Sequence, residues 1–170
     1  LRRRYIMTNV LGLRAAQDGM KNLWVHEDPP GSNSGEYVDI YLASVGLPPG
    51  NSWCCAFLYY RLQQAALELK QTSPMPKTGY VEALFMWAEA KGNRVYNNPE
   101  PGFAFVEWIA SEERYGHTGL VLSCDASCFV SVEGNAADTL GSSDGEGVKS
   151  HVRPWLNGEY KFINLEEVSQ

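Results

Sequence analysis

Hydrophobic and polar positions change period near the middle of the 170-residue chain. Up to about residue 92, apolar side chains recur every three or four positions, the spacing of a buried helical stripe. Beyond about residue 103 they alternate every second position, as in strands with covered faces. Residues 9–24, with Val10, Leu13, Ala16, Met20 and Leu23-Trp24, predict a first helix weakened by Gly12 and Gly19. Pro29-Pro30-Gly31 interrupts the pattern. Ser34 is then placed to cap a short helix that carries Val38, Tyr41, Leu42 and Val45 on one side and stops at Gly46. After the turn at Leu47-Pro48-Pro49-Gly50, Trp53 to Lys70 holds strong helix formers without Gly or Pro. A helix of about five turns is expected there, with Ser52 as its N-cap. A further helix runs from Thr78 as cap through Val81, Leu84, Phe85 and Ala88 to Gly92. Phe103–Trp108, His117–Ser123, Cys128–Glu133, Gly147–Val152 and Glu159–Asn164 read as short strands of an antiparallel sheet. Helices first and strands afterwards predict an α+β fold, with N-terminal helices packed on the sheet.

Composition narrows the picture. At this length one domain is expected over residues 1–170, its core from about 9 to 165 and residues 1–8 a linker or tail. Apolar residues at 44% and charged residues at 20% are those of a globular chain, not a disordered one. With 14 Lys and Arg against 20 Asp and Glu, the net charge of −6 argues against a nucleic-acid partner. Affinity for a polyphosphate comes from basic side chains that release counterions, and the one dense basic run, Arg2-Arg3-Arg4, reads as a solvated tail. No apolar run reaches the length of a membrane span, and the N-terminus lacks the apolar core of a secretory signal. The four cysteines form two close pairs, Cys54-Cys55 and Cys124/Cys128, a poor match to a disulfide-built scaffold or a zinc site. Neither a metal nor a cofactor is expected. Cys124 and Cys128 flank a predicted hairpin turn, where a bridge and two free thiols are both open readings.

The chemistry available centres on a thiol. A helix start stabilises a thiolate through unpaired N–H groups and the positive end of the dipole. Ser52 as cap puts Cys54 at the second helical position, where a backbone N–H can also serve a developing oxyanion. On position alone, Cys54 and Cys55 read first as buried small hydrophobes, the usual fate of free cysteine. A cysteine nucleophile further needs a base and a group that fixes the base's tautomer. Of the three histidines, His26 lies in the Pro-Gly loop, His151 near a strand end, and His117 opens a strand entered from a polar loop. In period two, His117, Gly119 and Val121 share a face, as do Phe129, Ser131, Glu133 and Asn135 on the next strand. The short Asp125-Ala126-Ser127 connection favours pairing of the two strands, so that Glu133 or Asn135 reaches the imidazole. Gly134 between them marks a bend or bulge.

Pro49-Gly-Asn-Ser-Trp-Cys-Cys-Ala-Phe, then Gly116-His-Thr-Gly-Leu-Val, then Val132-Glu-Gly-Asn, together resemble the CHAP (cysteine- and histidine-dependent amidohydrolase/peptidase) family of the NlpC/P60 superfamily. The resemblance extends over roughly residues 12–165 and departs from the pattern at Cys55 and Phe103. It implies a papain-like fold that hydrolyses amide bonds of bacterial peptidoglycan, in the periplasm or cell wall. It also implies Cys54 as nucleophile, His117 as base, and Glu133 and Asn135 as the groups that orient it. Trp53, adjacent to the nucleophile, is expected to contribute to substrate binding. Two other classes remain in view: a cysteine hydrolase or transferase toxin acting on another amide, and a peptidoglycan-binding module without activity. Loss of the Cys, the His or the orienting residue would mark the module, and none is lost here.

Overall fold

In the computed structural model, which describes residues 9–140 and 145–166, the mid-chain change of period becomes a change of structure. The expected tail over residues 1–8, with its arginine run, lies outside the described residues. Among those described, the helices are α1 (Val10–Gly19, continued by a 3-10 turn over Met20–Asn22), α2 (Glu36–Ser44), α3 (Cys54–Leu69) and α4 (Val81–Ala90). The strands are β1 (Val95–Tyr96), β2 (Ala104–Ile109), β3 (Arg114–Cys124), β4 (Cys128–Ala136), β5 (Gly147–Pro154) and β6 (Tyr160–Ile163). They form one antiparallel sheet in the order β1-β6-β2-β3-β4-β5. The fold is therefore α+β, helices before sheet. The two-residue strand β1 is too short to leave a periodic signal.

The helix starts differ from those expected, each for a local reason. Asn9 caps α1 by accepting the Gly12 N–H at 3.1 Å. Ser34 does not cap α2: its hydroxyl donates to Asp39 at 2.9 Å, and the cap position is Gly35 at φ 142°, where a side chain is strained. Ser52 does not cap α3, which begins one residue later than predicted, with Trp53 at the cap position and no capping side chain. Thr78 accepts the Tyr80 N–H at 3.1 Å but stands three residues before the first helical position of α4, where Tyr80 is at the cap position. Gly12 and Gly19, read as weak points of α1, are contact points instead. A Cβ at Gly12 would meet the Gly102 carbonyl oxygen at 1.8 Å, and one at Gly19 would meet Val132 at 3.2 Å.

The sheet has two buried faces. Ala104, Val106, Leu120, Val132 and Ile163 pack with Leu11, Ala15 and Leu58 of the helices. Phe103, Phe105, Val121, Phe129, Tyr160 and Phe162 form a separate aromatic core on the other side. That second core requires the sheet to curl. Phe129 of β4 and Phe162 of β6 stand three strand spacings apart, about 14 Å in a flat sheet, yet their ring centroids are 5.3 Å apart. Polar side chains in the same phase as these aromatics are carried into the enclosed space.

Gly134 lets α3 close on β4, since a Cβ there would lie 2.6 Å from Phe57 Cβ and 2.8 Å from the Trp53 ring. Gly134→Ala is expected to lower the unfolding free energy by about 1–3 kcal/mol through overpacking, read as an earlier midpoint in urea denaturation.

Candidate active site

Trp53 positions the helix start. It is fully buried, stacks on Tyr41 with ring centroids 5.9 Å apart, and donates its indole N–H to Glu27 at 2.9 Å. The other Glu27 oxygen accepts the Asn33 N–H at 3.0 Å. Contrary to expectation, Trp53 has no surface left to offer a substrate, and its role here is to anchor the residue that follows. Cys54 thus enters α3 at the first helical position rather than the second. It lines a cleft of about 370 Å³ with Leu47, Ser52, Tyr80, Glu82 and Arg114. With no side chain capping α3, its first-turn N–H groups have no side-chain acceptor.

Cys55 is not among the residues that line this cleft. It is fully buried, and its thiol donates to the Thr78 carbonyl at 3.4 Å. Burial, helped by the neighbouring Cys54, pushes its pKa far up and keeps it a thiol. Of the vicinal pair, Cys54 is the one presented to the cleft. Cys124 and Cys128 are both free. Cys124 pairs with Phe129 across β3 and β4 and packs against the aromatic core, which leaves Cys128, the residue before Phe129, on the opposite face.

His117 lies on β3 and Glu133 on β4, joined by a hairpin in which Asp125 accepts the N–H groups of Ser127 and Cys128 at 2.8 Å each. His117 Nε2 is 2.6 Å from Glu133 Oε2, both side chains being at most 1% exposed. Nδ1 is therefore the ring nitrogen left for the thiol. It makes no bond of ordinary hydrogen-bond geometry, although Cys54 is the imidazole's other polar neighbour. Burial opposes a charge on the ring. The interaction with Cys54 and the hydrogen bond and negative charge of Glu133 outweigh it, so the His117 pKa is pushed up to about 10.

Glu133 is held from several sides. The Ser131 hydroxyl donates to Oε1. Arg153 on β5 grips both oxygens, Nε to Oε1 and Nη2 to Oε2, each at 2.7 Å. Burial alone would raise this carboxyl, but His117 and Arg153 keep it well below the usual carboxylate range. The remaining Arg153 nitrogen, Nη1, donates to Glu107 of β2 at 2.9 Å and to the Tyr160 hydroxyl of β6 at 3.2 Å. Asn135 does not join this chain. The β4–β5 pairing is irregular between Glu133 and Ala136, and Asn135 sits there at φ 52°, its Oδ1 accepting the Gly145 N–H at 3.5 Å. Its Nδ2 is buried without a partner, and no hydrogen bond joins it to His117 among the described residues.

Arg153, Glu107 and Glu27 are the site-supporting residues that the sequence reading missed. Glu107 carried a signal, as a charge inside the apolar run Ala104–Ile109; Arg153 shares the phase of His151 and gave none. A second cavity of about 420 Å³, lined by His26, Glu27, Asp138 and Lys149 among others, contains neither Cys54 nor His117. Among the described residues, no group of three or more His, Cys, Asp or Glu is placed to hold a metal ion. None of their helices is long and apolar enough to cross a membrane. No protein-family model, curated protein or solved structure matches the chain.

The paired shifts tie stability to pH. Glu133, held below the ordinary 4.5, contributes stability that is present above that value and is lost as the pH falls towards its folded-state pKa. His117, raised from 6.5 to about 10, contributes stability that is complete below 6.5 and lost as the pH rises through about 10. The thermal midpoint, followed by circular dichroism, should therefore decline on both sides of a plateau between roughly pH 4.5 and 6.5. Glu133→Gln should flatten both limbs; a variant that keeps them would refute this assignment.

Proposed function

We propose that this chain is a CHAP-like cysteine amidohydrolase/peptidase of papain-like NlpC/P60 type that hydrolyses amide bonds of bacterial peptidoglycan. The observation that carries the reading is His117, held between Glu133 on one ring nitrogen and the cleft-facing Cys54 on the other side. A cysteine hydrolase needs these three roles in this order: nucleophile, base and orienting group. The substrate class rests on the resemblance of the motifs that carry Cys54, His117 and Glu133.

In the proposed reaction the Cys54 proton already rests on His117, and the Cys54 thiolate forms a C–S bond to the amide carbonyl carbon. The oxyanion is met by first-turn N–H groups of α3, which point out of the helix end with a partial positive charge. Imidazolium returns its proton to the leaving amine as the C–N bond breaks, leaving a thioester. Water, losing a proton to His117, then attacks the thioester. The C–S bond breaks, the acid is released, and the thiolate is restored. Glu133 stays ionised throughout and fixes the ring tautomer from behind.

Purified sacculi and mass spectrometry of the soluble fragments test the reading. Cys54→Ala should fold normally and lose fragment release by at least about a thousandfold, whereas Cys55→Ala should retain it. Lysis by the Cys54→Ala protein would remove Cys54 from the role. The new termini on the fragments distinguish cleavage at the sugar–peptide junction from cleavage within the peptide.

A further inference from the structure

Two carboxylates and one guanidinium are sealed beside His117. Glu107 on β2 is its direct cross-strand neighbour, Glu133 on β4 bonds it at 2.6 Å, and Arg153 on β5 bridges the two carboxylates. From β6, the Tyr160 hydroxyl accepts from Arg153 and donates to Glu107 at 3.4 Å, adding no charge. From α3, Cys54 is close enough to interact with the imidazole. The other cationic candidates on β5 are engaged elsewhere: Lys149 pairs with Asp138 at 2.7 Å, and His151 bonds the Ala137 carbonyl at 2.9 Å. Glu107, Glu133 and Arg153 are 3%, 0% and 2% exposed, so water does little to screen them.

The bidentate grip of Arg153 on Glu133 would by itself neutralise that carboxylate and leave the imidazole little reason to hold a proton. Glu107 changes the balance, because it supplies a second negative charge against the same guanidinium. The fixed groups then sum to one net negative charge, and a proton on His117 brings the enclosed cluster to neutrality. We propose that Glu107 and Arg153 are positioning residues that make imidazolium the resting form of His117, Arg153 by aiming and ionising Glu133 and Glu107 by leaving one negative charge for the ring to match. The catalytic meaning of this assignment rests on the hydrolase reading above. Neither residue needs to touch Cys54 or the substrate for it to hold.

The test reads the His117 ring by NMR in the full chain, in a Cys54→Ala background where the thiol's own charge drops out. Glu107→Gln, nearly isosteric, should lower the His117 midpoint by about one pH unit, about tenfold in proton affinity. Glu107→Asp, which keeps the charge, should hold it within a few tenths. In the protein that retains Cys54, the basic limb of sacculus hydrolysis should move with the NMR midpoint and appear in kcat rather than KM. A folded Glu107→Gln protein with an unmoved His117 midpoint would overturn the proposal. Should that variant fail to fold, a neutral His117 at about pH 8 in the Cys54→Ala protein would do the same. Absent hydrolysis with the NMR shift intact supports the charge assignment and removes peptidoglycan as the substrate, so the two failures are distinguishable.

Discussion

Glu133 is a carboxylate withdrawn from water, and much of the surrounding structure meets its requirements. An ionised group in that position costs several kcal/mol unless its oxygens are fully engaged. His117, Ser131 and Arg153 engage them together, and Arg153 in turn is satisfied by Glu107 and Tyr160. Removing one partner from such a network leaves the other charge uncompensated, a loss of about 3–5 kcal/mol in comparable buried pairs. The same contacts that make the charge tolerable also fix the imidazole's orientation, so stability and chemistry draw on one set of bonds.

That network fits inside the molecule because the sheet curls. In a flat sheet Arg153 of β5 and Tyr160 of β6 would stand four strand spacings apart, about 19 Å; here they hydrogen-bond at 3.2 Å. The curl also stacks the Arg153 guanidinium 5.0 Å from the centre of the Phe105 ring, joining the polar network to the aromatic core. Gly119 leaves room for this arrangement, since a Cβ there would lie 2.9 Å from Phe105 and 3.0 Å from Glu133.

Local pattern made part of this legible. The period change located the helices and five of the six described strands, and period two placed Glu133 on a strand that can reach His117. Between Glu133 and Asn135 the sequence left the partner open, and the irregularity flagged by Gly134 is what separates them, turning Asn135 towards Gly145. The helix caps failed where a tertiary contact outranked a local one: Ser52 is a good cap by type, but Trp53, pinned by Glu27, sets where α3 begins. Arg153 was invisible because its meaning lies in curvature. A strand arginine is ordinarily solvated, and nothing in the residues of β5 announces that β2 and β6 will close over it.

The groups gathered around His117 come from β2, β3, β4, β5 and β6, while Cys54 belongs to a helix that precedes all of them in the chain. During synthesis the thiol emerges first and the last contributor to the cluster, Tyr160, more than a hundred residues later. A partly made or partly folded chain therefore carries the cysteine without the enclosure around His117. On the proposed reading, assembly of the curled sheet is thus a built-in checkpoint, since the thiol is readied only once the cluster around His117 has closed.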